Sequence, residues 1–377
     1  MYKKIICIFL IPMILITGCW DSKDINKKCI AVSIGVDIVN DLIEFSGEIV
    51  KLSTTKETEE TSVNSGVYTI LSYGKTFEEA RSNYDSNNPF STFLGATRVV
   101  VFGENYAKSG IEPYINRIDS EYDYRKTLFP IVSRESPRYI FELKTDKDIS
   151  IGFLLDDILV HLKDKGMSIC PNVGDILSTI AFGTEGYLLP YVGVESNDIK
   201  YLGLCVMKDS KFIDVISIED TKPILYLLAK NPKLREVITN PIDSNNKYNF
   251  RIKIGNRDIT THYKNDNVII DINLELEAEL SYQYYIKKLD DKMIHALENE
   301  ISIKIKDSIL NIIKKAQKDY TCDIFSFGEI FKSQHVDQYN KINWEDAFLS
   351  AVINVNTTTK IINQNLKSAP KEEENNE

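Results

Sequence analysis

Long apolar runs are scarce in this chain. The single one, Ile5 to Ile16, spans about a dozen residues and is broken by Pro12. At 1.5 Å rise per residue it cannot cross a hydrocarbon core about 30 Å thick as a helix. Histidine is also scarce, with 4 in 377 residues, and no two of them stand at i,i+3 or i,i+4. A helical pair of metal-binding histidines is therefore excluded. No Cys-x-x-Cys spacing occurs, which removes the usual structural zinc frameworks. Gly-x-Ser-x-Gly, His-Glu-x-x-His, the phosphate-binding Gly-x-x-x-x-Gly-Lys loop and Gly-x-Gly-x-x-Gly are all missing. Positive charge is in deficit: 45 Lys and Arg against 55 Asp and Glu give a net charge of −10. That balance argues against nucleic-acid binding, which leaves a basic footprint, and against broad adhesion to anionic lipid. What remains is an ordinary globular composition, 43 % hydrophobic and 27 % charged, long enough for two or three domains.

The N-terminus carries the most specific signal. Lys3 and Lys4 precede the apolar run, which ends in Ile16-Thr17-Gly18-Cys19. A basic start, a short apolar stretch and small residues before a cysteine read as a bacterial lipobox on a secretory signal. Residues 1–18 are then removed. The thiol of Cys19 takes a diacylglyceryl group and becomes the new N-terminus, so Cys19 is the expected lipidation site. Two or three acyl chains anchor stably where one is marginal. Cys7 leaves with the signal. Cys29, Cys170, Cys205 and Cys322 are widely separated and read as buried small hydrophobes rather than a disulfide set, although export permits disulfides.

Periodicity organises the rest. Alternation predicts strands at 30–38, 42–50 and 67–72, with an exposed loop at 54–66 between the last two. Further strands are expected at 96–102, 128–133 and 187–194, with a hairpin over 202–218 turning at Lys208-Asp209-Ser210-Lys211. Thr76 reads as an N-cap, and Ser136-Pro137 and Pro171-Asn172 as helix starts. Residues 105–116 and 119–126 read as helical or turn-like, and helices are expected over 149–165, 172–182 and 220–230. From Ile270 to Leu280 apolar residues alternate with Asp271, Asn273, Glu275, Glu277 and Glu279, a strand with one dry and one wet face. Asn249 to Ile254 supplies its partner. An amphipathic helix over 289–316 follows, then alternation at Leu349, Ala351, Ile353 and Val355 predicts a last strand. Residues 367–377 hold no large apolar side chain and are expected to be disordered.

Side chains that could carry chemistry have plainer readings. Asp156-Asp157 are adjacent on a helix and diverge. His161 and His295 lie in helical stretches. Glu57, Glu59 and Glu60 suit a wet loop. Tyr282, Tyr284 and Tyr285 suit either a partner-binding patch or packing. Nothing nominates a nucleophile, a general base, a metal or a cofactor. A surface hydrolase acting on cell wall would need residues the chain does not offer.

Three stretches resemble the Ger(x)C family, the lipoprotein C-subunits of bacterial spore germinant receptors. The first is Gly18-Cys19-Trp20-Asp21 with the strand Ala31 to Asp37. The second joins Gly74-Lys75-Thr76-Phe77-Glu78-Glu79-Ala80 to Leu94 through Glu104. The third is Asp323-Ile324-Phe325-Ser326-Phe327-Gly328-Glu329, then Trp344 and the final strand. Gly203 to Ile218 is similar to the family's hairpin. Ala96 stands where the family pattern has histidine, and Asp24 where glutamate is common. The resemblance implies an α+β protein of three mixed α/β domains, with mainly antiparallel sheets and packed helices. The expected units are 19–198, a small middle domain 199–235, and 236–366. It further implies a non-catalytic subunit lipid-anchored through Cys19 on the outer surface of the spore inner membrane. Its partners would be an A-type multi-pass subunit and a B-type transporter-like subunit. A lipid-anchored solute-binding protein of a transport system is the alternative.

Overall fold

The computed structural model describes residues 28–53, 64–183, 186–240, 243–286 and 289–363. Cys19, the signal residues, the 54–63 part of the expected loop and the tail lie outside them. The chain is α+β, and the strands of the described residues form two sheets.

The first sheet opens with a meander of β1 (Lys28–Val39), β2 (Leu42–Ser53) and β3 (Asn64–Gly74). Asn40 and Asp41 join β1 to β2 with φ of 51° and 61°. Both central residues in the left-handed region make the tight turn whose twist matches the strands, and Asn and Asp tolerate it best. After α1 (Phe77–Asp85) come β4 (Ser91–Phe93) and β5 (Val99–Gly103). Then α2 (Glu104–Ser109) and α3 (Glu112–Ser120) lead to β6 (Phe129–Ser133). Helices α4 (Pro137–Phe141), α5 (Ile151–Asp164) and α6 (Val173–Phe182) precede β7 (Gly186–Glu195). Thr76, Ser136, Ser150 and Asn172 cap their helices through their side chains.

The sheet is mixed rather than mainly antiparallel. Strands β1, β5, β6 and β7 run parallel at its centre, with β4 parallel to β1 at the start. The reason is in the composition of the central strands. Val99–Gly103 and Phe129–Ser133 are buried along their whole length, as strands covered by helices on both faces must be. Their apolar runs carry no alternation from which orientation could be read.

Two further strands, β8 (Asp198–Lys208) and β9 (Lys211–Ser217), continue the sheet antiparallel, so its order is β3-β2-β1-β5-β6-β7-β8-β9. Their turns, Ser196-Asn197 and Asp209-Ser210, repeat the paired positive φ. The segment 199–235 thus gives its hairpin to the first sheet. Its helix α7 (Lys222–Leu228) and strand β10 (Lys233–Thr239) pack with the second.

The second sheet has the order β10-β11-β12-β13. Strands β11 (Lys247–Lys264) and β12 (Asn267–Gln283) form a long hairpin through Asn265-Asp266. Helix α8 (Asp291–Lys315) lies on the dry face of β12, with Leu297, Ile301, Ile305 and Ile309 buried against the same core as Ile270, Ile272, Leu274 and Leu276. Short helices α9 (Phe327–Gln334), α10 (Val336–Tyr339) and α11 (Trp344–Ser350) lead into β13 (Val352–Asn363), parallel to β12. The last strand therefore starts later than the alternation from Leu349 suggests. Asn343 caps α11 by accepting from the Glu345 and Asp346 amides, and Trp344 and Phe348 bury one helical face. That holds Leu349 in the helix.

Cys29, Cys170, Cys205 and Cys322 are buried, and no disulfide forms among the described residues. Burial pushes the Cys170 thiol up to about 11 and the Cys205 thiol further.

Gly203 sits in β8 at φ +139°, and a Cβ there would overlap the Ile216 carbonyl of β9. Gly203→Ala is expected to destabilise the protein by about 2 kcal/mol or more, because neither conformation nor space admits the methyl. Urea unfolding of the two proteins checks this.

Candidate functional site: a cationic groove between the sheets

The residues with chemical potential do not converge. His262 Nε2 meets Asp271 at 3.2 Å, His295 Nδ1 meets Glu298 at 3.0 Å, and His335 Nε2 meets the Thr261 carbonyl at 2.7 Å. Asp156 faces Arg98 at 3.7 Å. Among the described residues no group of three or more His, Cys, Asp or Glu could hold a metal ion. No described helix is long and apolar enough to cross a membrane. Tyr282, Tyr284 and Tyr285 are all more than half exposed, and the first two rings stack at 6.1 Å. They are surface, not core.

The buried carboxylates hold backbone instead. Glu48 on β2 accepts from the amides of Ile151 (2.9 Å) and Gly152 (2.6 Å) and from the Ser33 hydroxyl (2.8 Å). It thereby satisfies donors that the first turn of α5 cannot use internally. Asp37 at the end of β1 accepts from the Ile38 and Tyr106 amides, against Gly103, where no side chain fits. Asp323 accepts from the amides of Phe325 (2.9 Å) and Gly328 (2.8 Å) and from the Trp344 indole (3.2 Å). A Cβ on Gly328 would lie 2.7 Å from that indole nitrogen. The distinctive sequence stretches are therefore structural joints. Desolvation raises the pKa of all three carboxylates, against the hydrogen bonds that lower it.

A different feature stands out on the surface. Where the end of α5 meets β10, an open groove of about 650 Å³ runs between the two sheets. His161, Leu162, Lys165 and Met167 line one side, and Ile218, Thr221, Lys222, Leu225, Lys233, Leu234, Arg235 and Arg251 the other. At the joint beside it, Gly166 has φ +63°, and a Cβ on it would lie 2.6 Å from Pro232. Five fixed cations face this groove and no acidic side chain lines it.

Strand pairing explains the concentration of charge. In β10, Leu234, Glu236 and Ile238 turn inward, which leaves Lys233 and Arg235 on the wet face. The register places Lys233 opposite Lys253 and Arg235 opposite Arg251. Like charges directly opposite on neighbouring strands are destabilising. The β11 pair is relieved by Glu279, which takes Arg251 at 3.5 Å and also holds Lys253. Lys222 pairs with Glu236 at 3.6 Å. Lys165, Lys233 and Arg235 form no ion pair among the described residues. The groove is thus a half-compensated cationic trough in a protein of net charge −10. Its residues come from four separate segments with no motif spacing, so sequence reading missed it. The one local signal was the Lys-Leu-Arg alternation of 233–235.

Two family models match the chain in order. The spore germination protein N-terminal domain matches residues 21–194, and the spore germination B3/GerAC-like C-terminal domain matches residues 202–365. Spore germination protein B3 of Bacillus subtilis (strain 168) is 21 % identical over 360 residues, covering 93 % of this chain and 95 % of that one. Spore germination protein KC of the same organism is 20 % identical over 399 residues, covering 96 % of each. The crystal structure of the GerBC protein matches with TM-score 0.59 at 19 % identity, over 88 % of this chain and 97 % of that one, and shares its fold.

Replacing Glu48 by Gln puts an amide nitrogen against the donors it now accepts from. An expected loss of about 1–3 kcal/mol follows from leaving buried groups unmatched. The folded carboxyl has the higher pKa, so its linkage contribution is full below about 4.5 and declines as pH rises through the folded value. The stability gap between wild type and Glu48→Gln should therefore narrow as pH rises above about 4.5, which urea titrations at several pH values measure.

Proposed function

This chain belongs to the spore germination B3/GerAC-like family, and we propose that it is the lipid-anchored, non-catalytic subunit of a spore germinant receptor. Its anchor is an acylated Cys19, carrying acyl chains of the palmitate class, on the outer surface of the spore inner membrane. Its partners are the A-type and B-type membrane subunits of the receptor, and its role is in receptor assembly and the germination response. The observation that carries this reading is the match of both family models, in order, along residues 21–365. The lipobox of Ile16 to Cys19 lies immediately before that matched stretch.

The physical logic is confinement. Each buried methylene contributes about 0.8 kcal/mol, so two or three chains hold the folded body at the bilayer without any spanning helix. Confinement to a thin layer raises the effective concentration of membrane partners, so individually weak contacts suffice for assembly.

A second reading, a lipid-anchored solute-binding protein of a transport system, draws on the parallel strands β1, β5, β6 and β7 and their helical crossovers. The antiparallel β10-β11-β12 stretch of the second sheet is foreign to the two-lobed architecture of that class. Calorimetric titration of the folded chain with amino acids and sugars separates the two, since a solute-binding protein saturates with its solute alone.

Cys19→Ala should move the protein from the membrane to the soluble fraction or leave its leader uncleaved. It should also remove its membrane partners from co-purification and slow germination. Fractionation of spore inner membranes with mass spectrometry of the N-terminus measures each. Unchanged membrane recovery and normal germination would refute the anchor.

A further inference from the structure

We propose that the acidic run Glu372-Glu373-Glu374, in the segment that follows β13, docks in cis into the cationic groove. Three observations carry this, and none depends on the receptor reading.

The groove has unmet charge of one sign. Lys233 and Arg235 stand opposite Lys253 and Arg251 in register; only the β11 members are within ion-pair distance of Glu279, which Lys233 reaches at longer range. A carboxylate seated beside Lys233 and Arg235 would remove the like-charge opposition. Leu234 and Met167 line the same groove and give it partly apolar walls, against which ion pairs are screened less than in open water.

The register also brings the tail to the right place. Arg235 is opposite Arg251, Arg251 is opposite Glu279, and Glu279 is opposite Asn363. The last described residue of β13 therefore lies in the same row as the two arginines. Three strand spacings separate it from β10, about 14 Å. Glu279, the carboxylate on that route, is already held by Lys253 and Arg251.

The tether has the matching length. Glu372 is nine residues beyond Asn363, and a tether of nine residues has a root-mean-square reach of about 15–18 Å. A tether whose mean span equals the distance to be bridged gives near-maximal effective concentration. The acidic run also lies beyond residue 365, where the family match ends, so the docking is a property of this chain's own tail. A seated tail occupies the trough that an acidic segment of another protein would use, and so competes with it.

The test uses the full chain in detergent. Carbodiimide treatment couples carboxylates to amines at ion-pair distance. It should join the tail glutamates to Lys233, Lys222 or Lys165 within one molecule, at a yield independent of protein concentration. A fluorescent peptide of residues 369–377 should bind the full-chain variant E372Q/E373Q/E374Q about tenfold more tightly than wild type, whose groove is filled in cis. That binding should weaken as salt rises from about 50 to about 300 mM and be lost when Arg235→Glu and Arg251→Glu are added. Should the arginine variant fail to fold, the glutamine variant, altered only outside the sheets, still decides. Equal peptide affinity for wild type and glutamine variant, absence of tail cross-links, or cross-links only between two chains would overturn the proposal. The last outcome would assign the groove to the tail of a second copy.

Discussion

The architecture depends on β7 and β8 being buried on both faces, with Ile216 of β9 beside them. Tyr187, Leu189, Tyr191, Cys205 and Met207 turn toward the helices and strands of the N-terminal half. Leu188, Leu204, Val206 and Ile216 turn the other way and join the core of the second sheet, α7 and α8. These strands are thus a shared wall, and neither half can bury its apolar surface without it. The wall is pinned at its edge. Lys208 donates to both the carbonyl and the hydroxyl of Thr321, at 3.0 and 2.9 Å, while a Cβ on Gly186 would lie 2.7 Å from the Asp323 carbonyl. Burial on two faces excludes large relative motion of the halves, because any sliding would expose side chains on both sides at once.

The groove is a consequence of that joining. Two units meeting along one wall leave a trough where their rims do not touch, here between the end of α5 and the free edge of β10. Edge strands are commonly defended by charge, and the alternation of β10 places Lys233 and Arg235 on its wet face. The charge then accumulates because β11 presents Arg251 and Lys253 in register. An anion-seeking trough on an acidic protein is selective. The net charge repels polyanions at long range, whereas a short tethered or docked acidic segment meets only the local field.

Much of the fold was legible residue by residue. The alternation from Ile270 to Leu280 and the stripe along α8 meet as read, because each encodes which side is dry. The caps at Thr76, Ser136 and Asn172 are local chemistry, written within three residues of the helix start. The parallel centre was not legible, since Val99–Gly103 and Phe129–Ser133 are apolar on both faces and carry no period. Asp37, Glu48 and Asp323 show why the distinctive stretches have their composition. Asp37 and Glu48 each tie a helix start to a strand, Asp323 ties the start of α9 to Trp344, and each needs a neighbour far away in sequence to be understood.

By itself the sequence determined the class of the fold and the family, because those rest on local chemistry and on ordered short stretches. Tertiary structure alone decided the two-sided wall of β7 and β8 and the clustering of Lys165, Lys222, Lys233, Arg235 and Arg251. The physical reason is that strand register and the meeting of two sheets bring together charges that chain distance keeps apart. Periodicity records which face of an element is wet, and it is silent on what that face will stand beside.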